Sequence, residues 1–461
     1  MEEEQMLLLQ YNIDFPERSC EEKEEMSQKN IKFMCIASDT ASLVNGHYCI
    51  NLPFRDETLK VPNNRCVAEQ RAIGIKRKLT KYPTFHEDYK IFMKDILDTA
   101  YAIKVPTEQQ TLEKERVWYI PHHGAYHPKK NKIRVVFDCT ATYQGFPLNE
   151  QLLKGPDLTN TLIGVLTRFR DEPIALMADI KSMFYQVKVP DEDTDLLCFL
   201  WWPEGNLNNG LEEYKMTVHL FGATSLPSCA SYALRRTAED ARDTAPEEAD
   251  NTVLHNFYVD DCLKSVDTEE QAIKLAKGLQ ALCLKGGFYL TKWISNSRTV
   301  LLSIPEEDRA IDQKDLDLNH DLLPVERDLG VQWCTQTDSF KFQVKLQDKP
   351  ATRHGILSVV SSIYDPLGFL APVILLAKLI LRELCKEKYA WNKDFKEVLM
   401  HLKEERKAIQ YTVSQSGHSP ERQKTLITEH MKEYKSTMRL KPLSLNDLFK
   451  AEDELLRLSQ L

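Results

Sequence analysis

Two adjacent aspartates, Asp260 and Asp261, stand between two short runs that are rich in β-branched and aromatic residues. Such runs favour strands, and a tight hairpin would place both carboxylates at its turn. Two like charges this close repel each other and need a counter-charge. Asp is also common in turns, because its side chain bonds nearby backbone groups, so an ordinary Asp-Asp turn is one interpretation. The other is a metal site, which requires a further carboxylate from another strand.

A suitable third carboxylate is Asp179. Residues 174–178 form a continuous apolar run after Pro173, and Asp179 lies at the end of that run. A run of this kind is typical of a fully buried strand. We therefore expect Asp179 to meet Asp260 and Asp261 across a sheet. A cluster of three carboxylates suits a pair of Mg²⁺ ions about 4 Å apart.

The segments around these acids carry a family resemblance. Residues 178–187 and 258–261 resemble the palm of a reverse transcriptase, and residues 132–138 and 220–224 are similar to the BEL/Pao class of LTR retrotransposons. The resemblance extends from about residue 45 to residue 395, with the motifs in the family's order. It implies an α+β fold, the right-hand polymerase of fingers, palm and thumb, with an antiparallel palm sheet and helices packed on it.

The resemblance also implies an activity, that of an RNA-directed DNA polymerase of a retrotransposon. Nucleotidyl transfer onto a primer 3′-hydroxyl would use two Mg²⁺ ions, with Mn²⁺ as a substitute, and deoxynucleoside triphosphates on an RNA or DNA template-primer. The implied catalytic residues are Asp179, Asp260 and Asp261, and the implied metal ligands are these three acids and Ile180. Lys292 resembles the lysine proposed to protonate the departing pyrophosphate, although spacing alone fits a lone surface lysine equally well.

The residues implied to bind the nucleotide are Arg134, Phe184, Phe221, Gly222 and Tyr258. Arg134 matches an arginine that contacts the triphosphate, for which a fork of donors is well suited. Phe184 matches the residue that closes the floor of the sugar pocket. Its alternative role is that of an ordinary aromatic core residue. Phe221 stands where many retroviral enzymes carry glutamine, which leaves polar contacts to the nucleotide open.

Domain boundaries follow from composition and from the resemblance. We predict an acidic linker or remnant over residues 1–44 and an N-terminal lead-in with a basic helix over 45–115. The fingers and palm core follows over residues 116–342, then thumb-like helices over 343–393 and a helical tail of unknown role over 394–461. After Trp391 the sequence departs from the resemblance. We recognise no acid-bearing strand set of the RNase H type there.

The net charge of −9 is unusual for a protein that holds nucleic acid. Residues 1–30 and 300–330 each carry nine acids and three bases, so the rest of the chain has a net charge of +3. Basic residues form two clusters, which either bind phosphates or solvate a surface: Arg65, Arg71, Lys76, Arg77, Lys78 and Lys81, and then Lys129, Lys130, Lys132 and Arg134. His122, His123 and His127 lack neighbours at ligand spacing, and we interpret them as structural.

Three functional hypotheses remain open. The first is the polymerase. The second is a catalytically silent, host-adopted retrotransposon remnant that binds nucleic acid or another partner, and the third, an unrelated metal-dependent phosphatase, would make the ordered motifs a coincidence. Eleven scattered cysteines favour a reducing intracellular setting, cytoplasmic or nuclear, and no apolar run predicts a membrane span. The sequence leaves the oligomeric state open.

Overall fold

The computed structural model describes residues 26–392 except 57–59, 107, 109–115, 127–132, 170, 311–324, 329–330, 336–337, 342–348, 351, 364, 366, 369–370, 387 and 389. The chain divides into two compact units, Met1–Lys314 and Asp315–Leu461. Each is described by itself. No helix of the described residues combines the length and the apolar character needed to span a membrane.

The first unit mixes helices with small antiparallel sheets, as the predicted α+β class requires. Its helices are α1 (Gln28–Thr40), α2 (Arg65–Lys81), α3 (Pro83–Asp98), α4 (Leu148–Gln151), α5 (Leu162–Phe169), α6 (Asp191–Thr194), α7 (Leu226–Ala241), α8 (Glu247–His255), α9 (Glu269–Lys285) and α10 (Arg298–Leu302). Its strands are β1 (Ser42–Val44), β2 (His47–Cys49), β3 (Ala102–Lys104), β4 (His122–Tyr126), β5 (Ile133–Phe137), β6 (Thr142–Tyr143), β7 (Phe146–Pro147), β8 (Ile174–Ile180), β9 (Cys198–Trp201), β10 (Glu212–Met216), β11 (Phe257–Tyr258), β12 (Asp261–Val266) and β13 (Leu290–Ser295).

The sheet that carries the acids has the strand order β11-β12-β8-β13, with every neighbouring pair antiparallel. β8 is apolar along almost its whole length and is central in the sheet, which is the position that the sequence predicts. Helices α7 and α9 contribute to the core on this sheet, with Ala233, Leu279 and Cys283 completely buried. We call this the sheet core.

Helix α9 shows how local sequence fixes an element that supports the sheet. The Thr268 side chain accepts a hydrogen bond from the Gln271 backbone N–H, and the Gln271 side chain accepts one from the Thr268 backbone N–H, which together form a capping box. The helix ends at Gly286, where a Cβ atom would lie only 2.0 Å from the Thr237 hydroxyl of α7. Only glycine permits this close approach of the two helices.

A second core, here the aromatic core, packs β3, β9 and β10 against α3 and the β4-β5 hairpin. The Tyr89 and Trp201 rings stack with centroids 5.1 Å apart, and Phe137 and Phe199 pack edge to face at 5.3 Å. Large aromatic side chains of this kind bury much apolar area per residue. The basic lysines 129, 130 and 132 fall outside the described residues.

Two elements differ from their predictions. Residues 28–40, predicted as part of an acidic linker, form α1, which buries Phe33 and Ala37 in the sheet core; residues 1–25 lie outside the described part of the chain. Residues 252–256, predicted as strand, belong instead largely to α8, and the strand before the acid pair is only Phe257–Tyr258. Pro246 precedes α8, and acidic residues fill its first turn, where they complement the helix dipole, so local helix signals prevail over β propensity.

The second unit contains the sheet β14 (Val325–Asp328), β15 (Val331–Cys334) and β16 (Ser339–Lys341), followed by α11 (Arg353–Ser362) and α12 (Ala371–Lys386). β14 and β15 pair antiparallel. The Arg353 guanidinium lies 4.1 Å above the Trp391 ring. The two helices agree with those predicted, while their thumb-like role stays a prediction.

Candidate active site

The acid pair lies at a hairpin turn. Tyr258 on β11 is paired with Asp261 on β12, which leaves Val259 and Asp260 as the two turn residues. Val259 has φ 59°, in the left-handed region that β-branched residues rarely occupy, and glycine is the usual residue there. The Ile180 N–H donates to the Asp260 carbonyl at 2.8 Å, which joins the turn to the end of β8. A strained turn is therefore held against the strand that carries Asp179.

The register brings the third acid to the same place. Asp261 lies directly opposite Asp179, and Asp179 lies directly opposite Thr291 on β13. Residues directly opposite each other in antiparallel strands project from the same face of the sheet. Tyr258, Asp261, Asp179 and Thr291 therefore form one row across four strands, with Asp260 at the adjoining turn. This is the meeting of acids that the sequence predicts, while their catalytic role stays a prediction.

The electrostatics of this row are unbalanced toward negative charge. Burial raises the pKa of the Asp260 carboxyl above its usual value, and the nearby negative charge of Asp179 raises it further. The Lys292 ammonium opposes these effects. Its Nζ lies 2.7 Å from the Asp179 carboxylate. Lys292 is in an irregular part of the β13 pairing and has φ 53°, so a local bulge aims the predicted general acid at Asp179.

The donor set fits a hard divalent cation, because the oxygen atoms of carboxylates are the ligands that Mg²⁺ takes. Ile180 can contribute only its backbone, since its aliphatic side chain is 1% exposed. Within the described ranges of the chain, no three His, Cys, Asp or Glu side chains are arranged closely enough to hold a metal ion. The acids are therefore gathered at one end of the sheet without converging on a single point.

The predicted nucleotide-binding residues fall into two groups, and the structure brings one of them together. The rings of Phe184 and Phe221 lie 5.8 Å apart, and Phe184 packs against both the sheet core and the aromatic core. Gly222 has φ 118°, and a Cβ atom there would lie 2.7 Å from the Phe137 carbonyl. Glycine is therefore required where the loop of Phe221 passes the end of β5.

Asn149, which the sequence does not mark as a functional residue, holds this loop. Its side chain accepts from the Thr224 N–H at 2.9 Å and donates to the Gly222 carbonyl at 3.0 Å. A single polar residue at the start of the short α4 gives no periodic signal. The only available hint is that an Asn amide can bond a donor and an acceptor at once.

The remaining predicted contacts lie on β5 and α2. Arg134 is exposed on β5, and the far end of that strand, Phe137, contacts the Gly222 loop. On α2, Arg71 and Arg77 are exposed, whereas Arg65 pairs with Glu69 and with the buried Glu213. The basic helix is thus only partly available to a phosphate backbone.

Comparison with known proteins adds one family match. Residues 352–438 match the family model described as "Pao retrotransposon-like RNaseH-like domain". This segment is therefore similar to part of a BEL/Pao-type retrotransposon pol region. The predicted resemblance is confirmed at this level. The family description names an RNaseH-like domain, whereas the sequence shows no acid-bearing strand set of the RNase H type. The match also extends into the tail from residue 394, beyond the end of the predicted resemblance.

Two further comparisons concern the chain as a whole. No curated protein matches it. A solved structure of the foamy viral protease-reverse transcriptase in complex with an RNA/DNA hybrid is similar at 14% sequence identity, with a TM-score of 0.38. The match covers 63% of this chain and 32% of the viral chain. The chain thus spans about a third of the length of that protein.

Proposed function

We propose that this chain is an RNA-directed DNA polymerase, with the β11-β12-β8-β13 sheet as its palm and the β4-β5 hairpin in its fingers. The observation that carries the proposal is the register between Asp261 and Asp179, which sets three carboxylates at one end of a buried sheet. A structural turn needs one Asp, whereas a two-metal site needs acids from two strands. The BEL/Pao match over residues 352–438 agrees with a retrotransposon protein that acts on nucleic acid.

In this proposal Asp179, Asp260 and Asp261 form a binding site for positive charge. Two Mg²⁺ ions, when bound, would neutralise the triphosphate and lower the pKa of the primer 3′-hydroxyl. Asp179 and Asp260 would hold them, with the Ile180 carbonyl beside them, and Asp261 would add its negative charge from the opposite strand. Burial and the charge of Asp179 make the charged form of the Asp260 carboxyl unfavourable, and a bound cation would relieve that cost.

Lys292 would have two successive roles. In the free protein its ammonium neutralises Asp179. As the primer 3′-oxygen bonds to the α-phosphorus and the bond from that phosphorus to the pyrophosphate breaks, the Lys292 Nζ would donate a proton to the leaving oxygen. Arg134 would contact the triphosphate, and the Phe184 ring would leave no room for a ribose 2′-hydroxyl. Tyr258, in the same row as Asp261, would line the nucleotide position.

Primer extension tests this function. The full chain is given a labelled DNA primer on an RNA template, deoxynucleoside triphosphates and either Mg²⁺ or Mn²⁺, with EDTA as the control. We expect metal-dependent extension on RNA, and on DNA template as well. A folded protein that binds the primer-template but does not extend it with either metal would contradict the proposal.

A second candidate function is a silent remnant that binds nucleic acid or another partner. It is favoured by the ion pair between Lys292 and Asp179, because an ammonium already supplies the charge that a cation would bring. The lack of a converged metal-binding group among the described residues agrees with it. Binding of the primer-template without extension in the same assay would select this candidate.

A further inference from the structure

The edge of the acid-bearing sheet is covered in an unusual way. β11 is the outermost strand, so the carbonyls on its outer side have no strand to pair with. Asn256 and Tyr258 bond inward to β12, which leaves the Phe257 carbonyl pointing outward, and the His255 carbonyl lies just before it at the C-terminal end of α8. An edge of this kind is open to water or to another strand unless it is covered.

Two side chains cover those carbonyls. The Asn160 side-chain amide donates to the Phe257 carbonyl at 2.9 Å, and the Arg168 guanidinium donates to the His255 carbonyl. Asn160 lies just before α5 and Arg168 lies within it. This segment therefore covers the Phe257 carbonyl of β11 and the adjoining His255 carbonyl of α8, at the edge where β11 has no neighbouring strand.

The donors are themselves held in place. Arg235 on α7 donates to the Leu158 carbonyl at 3.1 Å and to the Asn160 side-chain oxygen at 3.3 Å. The Arg168 carbonyl accepts from the Ser265 hydroxyl on β12 at 3.1 Å. Gly164 lies under the Arg168 guanidinium, where a Cβ atom would approach it to 3.2 Å. Helix α7 is thus connected, through Arg235 and Asn160, to the hairpin that carries Asp260 and Asp261.

We propose that Asn160 and Arg168, braced by Arg235, are positioning residues that hold the Asp260-Asp261 hairpin in its working geometry. The turn needs such support because Val259 occupies a left-handed conformation that is unfavourable for valine. The bonds from Asn160 to β11 and from Arg168 to the end of α8 oppose this strain. The catalytic part of this inference rests on the proposed function.

Hydrogen exchange of the hairpin amides, residues 256–263, tests the positioning role without requiring polymerase activity. In Asn160→Ala we expect exchange at Tyr258 and Asp261 to become roughly five- to tenfold faster, the scale of one lost hydrogen bond. Asn160→Asp, which keeps the shape and replaces the donor by an acceptor, is expected to loosen the hairpin at least as much. Arg168→Ala should have a similar effect, and Arg168→Lys, which retains a donor, should restore protection.

Asn296 provides the matched control. Its side chain also bonds two backbone groups of the same sheet region, donating to Pro173 and accepting from Ala175, at the end of β8 opposite to Asp179. Asn296→Ala should lower the melting temperature about as much as Asn160→Ala while leaving hairpin exchange unchanged. Unchanged hairpin exchange in both Asn160 variants, or equal loosening of the hairpin in Asn296→Ala, would overturn the proposal.

Kinetics then separate this inference from the polymerase assignment. If the wild-type chain extends primers, Asn160→Ala should lower kcat roughly tenfold with little change in the KM for template-primer. A KM effect alone would contradict a positioning role. If the wild-type chain does not extend primers, the proposed function fails by itself, and the exchange measurements still decide whether Asn160 and Arg168 hold the hairpin.

Discussion

The two cores of the first unit treat polar groups in opposite ways. In the aromatic core, the Tyr89 hydroxyl bonds His122 Nδ1 at 2.5 Å, and His122 Nε2 bonds the Leu200 carbonyl at 2.9 Å. Glu213 is likewise buried, with Tyr119 and Arg65 as its partners. At the end of the sheet core, by contrast, Asp179 and Asp260 are left partly exposed, and Lys292 is the cation that faces them.

The difference shows that the fold can satisfy a buried polar group when stability is all that is required. The negative charge at the acid row is therefore not a general property of this fold. Charge accumulated at a functional site commonly serves a ligand, and under the proposed function that ligand is a divalent cation.

The largest effect is expected at the acid row. Asp179→Asn and Asp260→Asn should each reduce primer extension by at least about a thousandfold, the scale on which loss of a catalytic group acts. Asp260→Asn should also leave the metal-free protein as stable as the wild type or more stable, because it removes a half-buried charge that Asp179 repels. Extension rates and melting temperatures in EDTA measure the two effects.

Asp98→Asn, at the exposed end of α3, is the control for these variants. It should change neither quantity. A loss of activity in Asp260→Asn that merely parallels a lowered melting temperature would mean that this acid is structural, and the contrast between the two cores would disappear.

The second prediction concerns the aromatic core. Burial lowers the pKa of His122 to about 4, below its usual value of about 6.5, so the folded state keeps this ring neutral. Because the unfolded chain takes up the proton first, this contribution to stability is complete above pH 6.5 and is lost as the pH falls toward 4. The loss between pH 7 and pH 5 is about 2 kcal/mol.

Urea unfolding at pH 7 and pH 5 measures this loss. His122→Gln should make the difference between the two pH values smaller by that amount. The neighbouring His123, exposed on the same strand, gives the matched control; its charge is a smaller cause of the lowered His122 pKa than burial, so His123→Gln should keep most of the difference. A pH dependence that is the same in all three proteins would show that His122 is accessible to protons in the folded state.

Much of this contrast was foreseeable from the sequence, and part of it was not. The apolar run before Asp179 predicts a buried strand, and Thr268 with Gln271 predicts a helix start, since both signals are local. The exact pairing of Asp261 with Asp179 depends on contacts between residues far apart in the chain, so the sequence indicates that the acids meet without giving their register.

Phe184, which packs against both cores, gives the third prediction. If its ring excludes the 2′-hydroxyl, Phe184→Val should raise ribonucleotide relative to deoxynucleotide incorporation roughly tenfold, because the overlap costs about 1–3 kcal/mol. If the ring is only a core residue, truncation lowers the melting temperature and leaves sugar choice unchanged. A ratio that stays the same in a destabilised variant would remove Phe184 from the nucleotide site.

The smallest effect is expected on the outer face of α2. Arg71→Ala with Arg77→Ala should weaken binding of all template sequences and lower the salt slope by about 2, close to one for each lost phosphate contact. Arg65→Gln is the control, because Arg65 is already paired with Glu69 and Glu213. It should lower stability and leave the slope unchanged. An unaltered slope in the double variant would show that these arginines only solvate the helix.

Other residues could not have been found from sequence. Asn149 and Asn160 act through backbone carbonyls that become their partners only after distant segments pack. The Lys292 bulge and the left-handed Val259 are likewise set by the sheet and not by local preference. Helix α8 differs from its prediction for the opposite reason. A local helix signal at Pro246 marks its start, but the β-branched and aromatic residues before the acid pair predict a strand.

Binding of Mn²⁺ to the full chain tests most directly whether the acid row exists for a cation. The measurement is the number of bound ions, by electron paramagnetic resonance, with template-primer and a non-reactive deoxynucleotide analogue present. We predict two bound ions in the wild type and in Asp98→Asn, and loss of binding in Asp179→Asn and Asp260→Asn. Equal binding in the wild type and Asp260→Asn, or no binding in the wild type, would contradict the two-metal site.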